Sequence, residues 1–473
     1  MTASTTETSA GRVASIRRRL EPRISALRES DTAKAAALAG AMIANNVIAL
    51  VSTVVFARLL GDYGSLGALI SYLLILTVAG QAMQVATARE GVLGHLGLGQ
   101  GLIATTRHWT RTMLLVTAGL TVVSVLLRDP IASAVGVPHY PWAAAIGIPA
   151  GCLYLEVSLL RGALQGVGDY RSVGLSLVGE QGARLICGVA FAVLFGVTGA
   201  FLGSLLSYIA MSLYCVVKLR NYAVAYDATG ALSVTPPQIT LWRHVRRALV
   251  PIAALAVIAV LQNIDIIAAK HRFGSTEATS YAAVAVAAKV LIWVAVGAGF
   301  YLVPEVSRRR AEGEDTRPVL LRTLGIILVC AIPCLLIFAF GAHLLISAVF
   351  GAKKATASNS LLPLGAAFTV LSCTYLAIQY MLALKRTWFL IAIAAVAIAE
   401  PVLLLRASRQ APGFAAVVLA VQAVGAVVAF SIALWRRDSA PPATAVNPEP
   451  AWQAAPALAT PTQDAARGIG SAK

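Results

Sequence analysis

Residues 35–57 read AAALAGAMIANNVIALVSTVVFA, and RLLGDYG follows at 58–64. The first run carries no charge. Wound as a helix rising about 1.5 Å per residue, it spans the roughly 30 Å hydrocarbon of a bilayer. Arg58, Gly61 and Asp62 then break the pattern and mark a turn. Working outward, similar runs recur at 34–57, 64–86, 113–127, 141–160, 172–195, 197–217, 248–269, 278–303, 320–349, 361–384, 387–405 and 413–435. At bilayer depth only helices or closed barrels satisfy their backbone groups, and uninterrupted runs this long are helical. The expected fold class is therefore an all-α polytopic membrane protein with about twelve transmembrane helices.

Composition agrees. With 58% hydrophobic and only 12% charged residues, the 473-residue chain is too apolar for a soluble globule. The formal charge of +17 tempts a nucleic-acid reading, but placement argues against it. Most of the 38 Lys and Arg fall in the N-tail, the even-numbered gaps and the C-tail. That sidedness is the positive-inside rule, which predicts an inner-membrane protein with both termini cytoplasmic. No nucleic-acid partner is expected, and anionic membrane lipid is a secondary one. The six cysteines lie in apolar runs without C-x-x-C spacing and read as small core hydrophobes, with no metal site expected.

The predicted organisation has five parts: a basic N-tail at 1–33, six spans over 34–219, a polar linker at 220–247, six more spans over 248–435, and an unstructured C-tail at 436–473. Hydrophobics on a helical spacing among arginines make the N-tail either an amphipathic surface helix or a disordered anchor. The two halves open alike. Asn45-Asn46 precedes a basic residue, a glycine and Tyr63; Gln262-Asn263 precedes Lys270, Gly274 and Tyr281. Six spans per half make such repeats parallel, two bundles around a central cavity.

An ionisable side chain at bilayer depth costs about 2.5–3.5 kcal/mol, so each calls for a reason. Glu180 and Arg184 are four apart on span five and can neutralise each other along one face, as a packing pair or a cavity lining. Asp265 and Lys289, on spans seven and eight, can face one another as a functional site or as a structural ion pair. Glu156 and Glu400 have no local counter-charge. Asn45, Asn46, Gln262 and Asn263 either bond between helices or offer hydrogen bonds to a polar cargo. No phosphate-binding G-x-x-x-x-G-K-[ST], no G-x-S-x-G and no paired-histidine spacing occurs, and the outer loops are too short to form a catalytic domain. No enzyme and no cofactor is expected.

The chain resembles a known family. Val55-Phe56-Ala57-Arg58-Leu59-Leu60-Gly61-Asp62-Tyr63-Gly64 is similar to the opening of polysaccharide export flippases of the multidrug/oligosaccharidyl-lipid/polysaccharide (MOP) exporter superfamily. Arg161-Gly162-Ala163-Leu164-Gln165-Gly166 with Tyr170 resembles the loop after their fourth span, Leu261-Gln262-Asn263-Ile264-Asp265 with Tyr281 their seventh helix, and Pro304 the exit of their eighth. The resemblance implies a MOP/MATE-like fold that flips polyprenyl-(pyro)phosphate-linked oligosaccharide across the bacterial inner membrane by alternating access, alongside glycosyltransferases or a polymerase of the same pathway. It implies that Arg184 and Lys289 meet the pyrophosphate. Asp265 then holds Lys289 or binds a coupling ion, a role open also to Glu156, Glu180 and Glu400, and Arg58, the amides and Asp265 border the substrate. Twelve spans favour an exopolysaccharide-type cargo over the peptidoglycan precursor. The rival readings are a MATE-like multidrug/cation antiporter and a non-transporting scaffold for envelope assembly.

Overall fold

The computed structural model describes residues 31–228, 240–384 and 386–435. The expected N-tail helix, the C-tail and the middle of the linker lie outside the described residues. Helices follow in the order α1 (Asp31–Leu59), α2 (Tyr63–Val92), α3 (Gln100–Leu126), α4 (Arg128–Val135), α5 (Pro141–Gly166), α6 (Tyr170–Asp227), α7 (Leu241–Arg247), α8 (Leu249–Arg272), α9 (Ser275–Ala288), α10 (Val290–Ala311), α11 (Arg317–Phe350), α12 (Leu361–Ala383), α13 (Phe389–Arg406) and α14 (Ala411–Trp435). Two short 3₁₀ turns join α11 to α12.

Among the described residues, eleven helical stretches are long and apolar enough to cross a membrane. The fifth, α6, has 58 residues, about 87 Å of helix, far more than one crossing needs. Its backbone breaks at Gly196 (φ 58°, ψ −133°), a conformation that β-carbon sterics deny to other residues. Beyond the break the chain returns along itself, since a β-carbon on Gly203 would fall 2.5 Å from the Gly188 Cα. The fifth stretch is thus two crossings joined by a turn near residue 196, where the sequence places its shortest gap. Twelve candidate crossings result among the described residues.

The third crossing is longer than predicted. Arg107, His108 and Arg111 end the apolar run but not the helix, because exposed charged side chains extend into water while the backbone ladder continues. The cysteines also depart from expectation. They are unpaired, but Cys215 alone of the six is buried and Cys330 is exposed, as suits a thiol facing lipid.

α1, α2, α3, α5 and α6 pack together, chiefly α2 on α5, α5 on α6 and α1 on α6. A second bundle forms from α8 to α14, chiefly α12 on α14, α10 on α12 and α8 on α13. The bundles meet through α2 against α8 and α9. Several links between them cluster at one end of the molecule, where the α1–α2 turn meets the α8–α9 turn. There Lys270 Nζ lies 3.0 Å from Asp62 Oδ1, the Gly64 amide donates to Thr279 Oγ1 at 3.1 Å, and His271 Nε2 donates to Ala134 O at 3.0 Å. A β-carbon on Gly64 would come within 3.0 Å of the Thr279 amide, so this approach needs the bare glycine. Asp62 also caps α2, accepting from the Ser65 amide at 3.1 Å and hydroxyl at 2.6 Å. Partial burial raises the Asp62 pKa, but the Ser65 and Lys270 hydrogen bonds and the Lys270 charge outweigh it, so the carboxyl titrates below its ordinary range.

Candidate functional site

In the second bundle, five helices converge on one buried polar cluster. α8 supplies Asp265, fully buried, and α9 supplies Tyr281, whose hydroxyl donates to Asp265 Oδ2 at 3.4 Å. Lys289 occupies the break between α9 and α10, where the Ile292 amide donates to Lys289 O in a tight i→i+3 turn at 3.0 Å. Its Nζ stands 3.2 Å from Asp265 Oδ1 and 5.3 Å from the centre of the Phe368 ring on α12. From α13 comes Glu400, fully buried, whose Oε1 accepts from Gln422 Nε2 of α14 at 3.1 Å. The same amide nitrogen donates to Leu261 O at 3.0 Å, which pins α14 to α8. Glu400 Oε2 has no hydrogen-bond partner among the described residues. Glu400, Asp265 and Lys289 lie within electrostatic reach of one another, so two carboxyls share a single ammonium.

The first bundle holds a second cluster, arranged differently from the sequence expectation. Glu180 does not pair with Arg184 on its own helix. Its partner is Arg161 of α5, fully buried, with Nη2 2.8 Å from Glu180 Oε2. That is a charge contact without hydrogen-bond alignment, because Nη2 points at Ser176 O (2.9 Å) and Nε donates to Ser176 Oγ (2.7 Å). Arg161 was expected in a loop after span four. The apolar run continues through Ala163 and Leu164, which carries the helix past it and places the guanidinium inside the bundle. Such a continuing run, with one unmatched acid in the next span, is the signal that locates it.

Releasing Glu180 to Arg161 leaves Arg184 half-buried, with no ion pair or hydrogen bond among the described residues. It lies within electrostatic reach of the buried Tyr63 and Tyr208. Gln81 of α2 is exposed midway along its crossing, and Gln262 is half-buried. The half-buried Arg184 guanidinium is costly at bilayer depth unless water or a polar guest reaches it.

The remaining candidates are dispersed. Asn45 Nδ2 donates to the neighbouring Asn46 Oδ1 at 3.3 Å, both residues half-buried. Asn263 is buried and turns back to Ala259 O of its own helix at 2.9 Å, so it offers little to a ligand. Arg58 lies at the Asp62 end, where its guanidinium donates to Ala348 O (2.6 Å) and Val349 O (3.1 Å) at the α11 C-terminus. It ties the bundles together there. Glu156 is buried beside a small separate pocket that it lines with Thr106, Trp109 and Thr110.

No protein-family profile matches the chain, and no curated protein matches it. Solved structures do. An inward-facing multidrug resistance MATE family transporter of the MOP superfamily superposes with a TM-score of 0.66 at 14% identity, covering 82% of this chain and 93% of that one. The lipid II flippase MurJ, in an inward closed conformation, gives a TM-score of 0.65 at 14% identity over 84% of this chain and 87% of that one. A MOP superfamily transporter from Pyrococcus furiosus, for which a binding pocket of reversed polarity suggests a different function, gives 0.56 at 16% identity over 86% and 96%. The chain has the fold of the MOP superfamily transporters, as its motifs led one to expect.

Proposed function

We propose that this chain is a MOP-type flippase that carries an anionic, polyprenyl-(pyro)phosphate-linked oligosaccharide across the bacterial inner membrane. The observation that carries the reading is Arg184, a guanidinium at bilayer depth with no counter-charge of its own. A cation held there at a cost of about 2.5–3.5 kcal/mol is repaid when an anion meets it. Lys289, expected beside the pyrophosphate, is instead neutralised by Asp265 within its own bundle, while exposed Gln81 and half-buried Gln262 offer hydrogen bonds to sugar hydroxyls. The MurJ likeness supports a lipid-linked cargo. In this reading lobes 34–219 and 248–435 rock about the passage, the Asp62 end faces outward and is shut, and both termini are cytoplasmic. Pathway glycosyltransferases or a polymerase supply and consume the cargo.

The test is reconstitution of the full chain in liposomes with a labelled polyprenyl-pyrophosphate sugar, scored by access of an external glycosidase to the label. Wild type equilibrates the label across the bilayer, and Arg184→Gln slows this at least tenfold. Transport of a cationic dye without movement of the sugar lipid refutes the proposal and favours the antiporter reading, for which the buried Glu400 Oε2, without a hydrogen bond among the described residues, is the supporting observation.

A further inference from the structure

The linker helix α7 has two unlike faces. Leu241, His244 and Ala248 are buried on one side, Trp242, Arg243 and Arg246 are exposed on the other, and Arg247 lies exposed at the margin between them. At 100° per residue these two sets fall on opposite sides of the helix. The buried side is locked onto the first bundle. The His244 ring stacks on Trp109 of α3 at 4.9 Å and 14°, and its Nε2 is 2.9 Å from Thr87 Oγ1 of α2. Arg247 Nη1 lies 3.9 Å from Glu90 Oε2, which also holds His95 Nδ1 at 2.7 Å.

The outer side remains open. Trp242 is 71% exposed beside Arg243 and Arg246, and no acidic residue occurs anywhere in the helix. The helix ends one residue before α8 enters its crossing at Leu249. That fixes its depth, because 24 residues of α8 at about 1.5 Å each fill the hydrocarbon and deliver α7 to the headgroup layer. Indole and guanidinium groups at that level have a matching partner in anionic phospholipid: the ring sits among the headgroups and the cations meet the phosphates.

We infer that the outer face of α7, Trp242 with Arg243 and Arg246, is a docking surface for anionic phospholipid headgroups that presses the interlobe linker against the first bundle. The face is distinct from the transport site, and the inference stands whichever cargo the protein carries. Charge and depth together select a bilayer surface. A soluble anion would match the arginines but leave Trp242 in water, and an acidic protein segment would have to lie flat within the headgroup layer to reach them.

The full chain in nanodiscs of phosphatidylcholine, with or without phosphatidylglycerol, tests this by hydrogen–deuterium exchange of the 240–248 segment. Phosphatidylglycerol slows exchange there by about tenfold, and high salt removes the effect. Arg243→Gln/Arg246→Gln abolishes the lipid dependence, while Arg243→Lys/Arg246→Lys keeps it. An unchanged melting temperature of the glutamine variant shows that the bundles still fold. Equal exchange in both lipids overturns the inference, as does a lipid effect that survives in the glutamine variant. Inorganic phosphate producing the same protection in phosphatidylcholine alone also overturns it, in favour of a soluble-anion site.

Discussion

Lys289 Nζ, at the break that separates α9 from α10, stands 3.2 Å from Asp265 Oδ1 of α8 inside the second bundle. Each neutralises the other where water is scarce, so removing one strands the other. Lys289→Met is expected to destabilise the protein by about 3–5 kcal/mol, read as a lowered melting temperature in detergent. The neutral pair Lys289→Met/Asp265→Asn recovers most of that loss yet fails to flip substrate. Full transport by the recovered double variant would reduce the pair to a structural strut.

If the proposed flippase reading holds, Arg161 serves architecture and Arg184 serves transport within one bundle. Arg161→Gln leaves Glu180 buried without its cation and is expected to cost about 3–5 kcal/mol. Arg184 has no partner to abandon among the described residues, so Arg184→Gln is expected to change the melting temperature little and, in the proposed reading, to suppress flipping. Equal thermal losses in the two variants would contradict this division.

Asp62 and Lys270 clasp the bundles at one end, with Asp62 serving also as the α2 cap. Because the Asp62 carboxyl titrates below its ordinary value, its contribution is complete above that value, about 3.9, and fades as pH falls through the depressed one. The clasp is therefore intact at neutral pH. Asp62→Asn is expected to loosen it, so that a cysteine at Gly67 reacts several-fold faster with an impermeant maleimide. Unchanged labelling would show that the other contacts suffice.

His244 titrates in the opposite sense. Burial against Trp109 lowers its pKa, with the nearby Arg247 acting the same way and Glu90 opposing. The neutral ring belongs to the docked helix, so docking is strongest above the unperturbed value of about 6.5 and weakens as pH falls below it. Exchange of residues 240–248, corrected for intrinsic rates, should rise between about pH 7 and about pH 5. In His244→Phe, which keeps the stacking and cannot charge, the curve should be flat. A wild-type curve equally flat would mean that His244 does not govern docking.

The crossings were legible because hydrocarbon thickness writes itself into run length, and even the turn near Gly196 shows as a gap between two apolar runs. Asp265 and Lys289 could be paired from sequence because they sit in consecutive spans and are the first acid and base there. Glu180 was misassigned because spacing along one helix reveals partners on that helix and is blind to a residue arriving from another. Arg161 was hidden by its charge, which makes a helical position look like a span boundary. Gln422, which joins Glu400 to Leu261, left no trace in sequence, since one amide in an apolar run reveals nothing of the direction in which it points.

The return of α6 at Gly196 has a consequence for anyone who wishes to label or cut this protein between two of its crossings. Two crossings meet there with almost no intervening chain, so that edge offers antibodies nothing to grip and proteases no strand to cut, and an epitope tag inserted at the turn would pry apart the paired helices before it could be displayed.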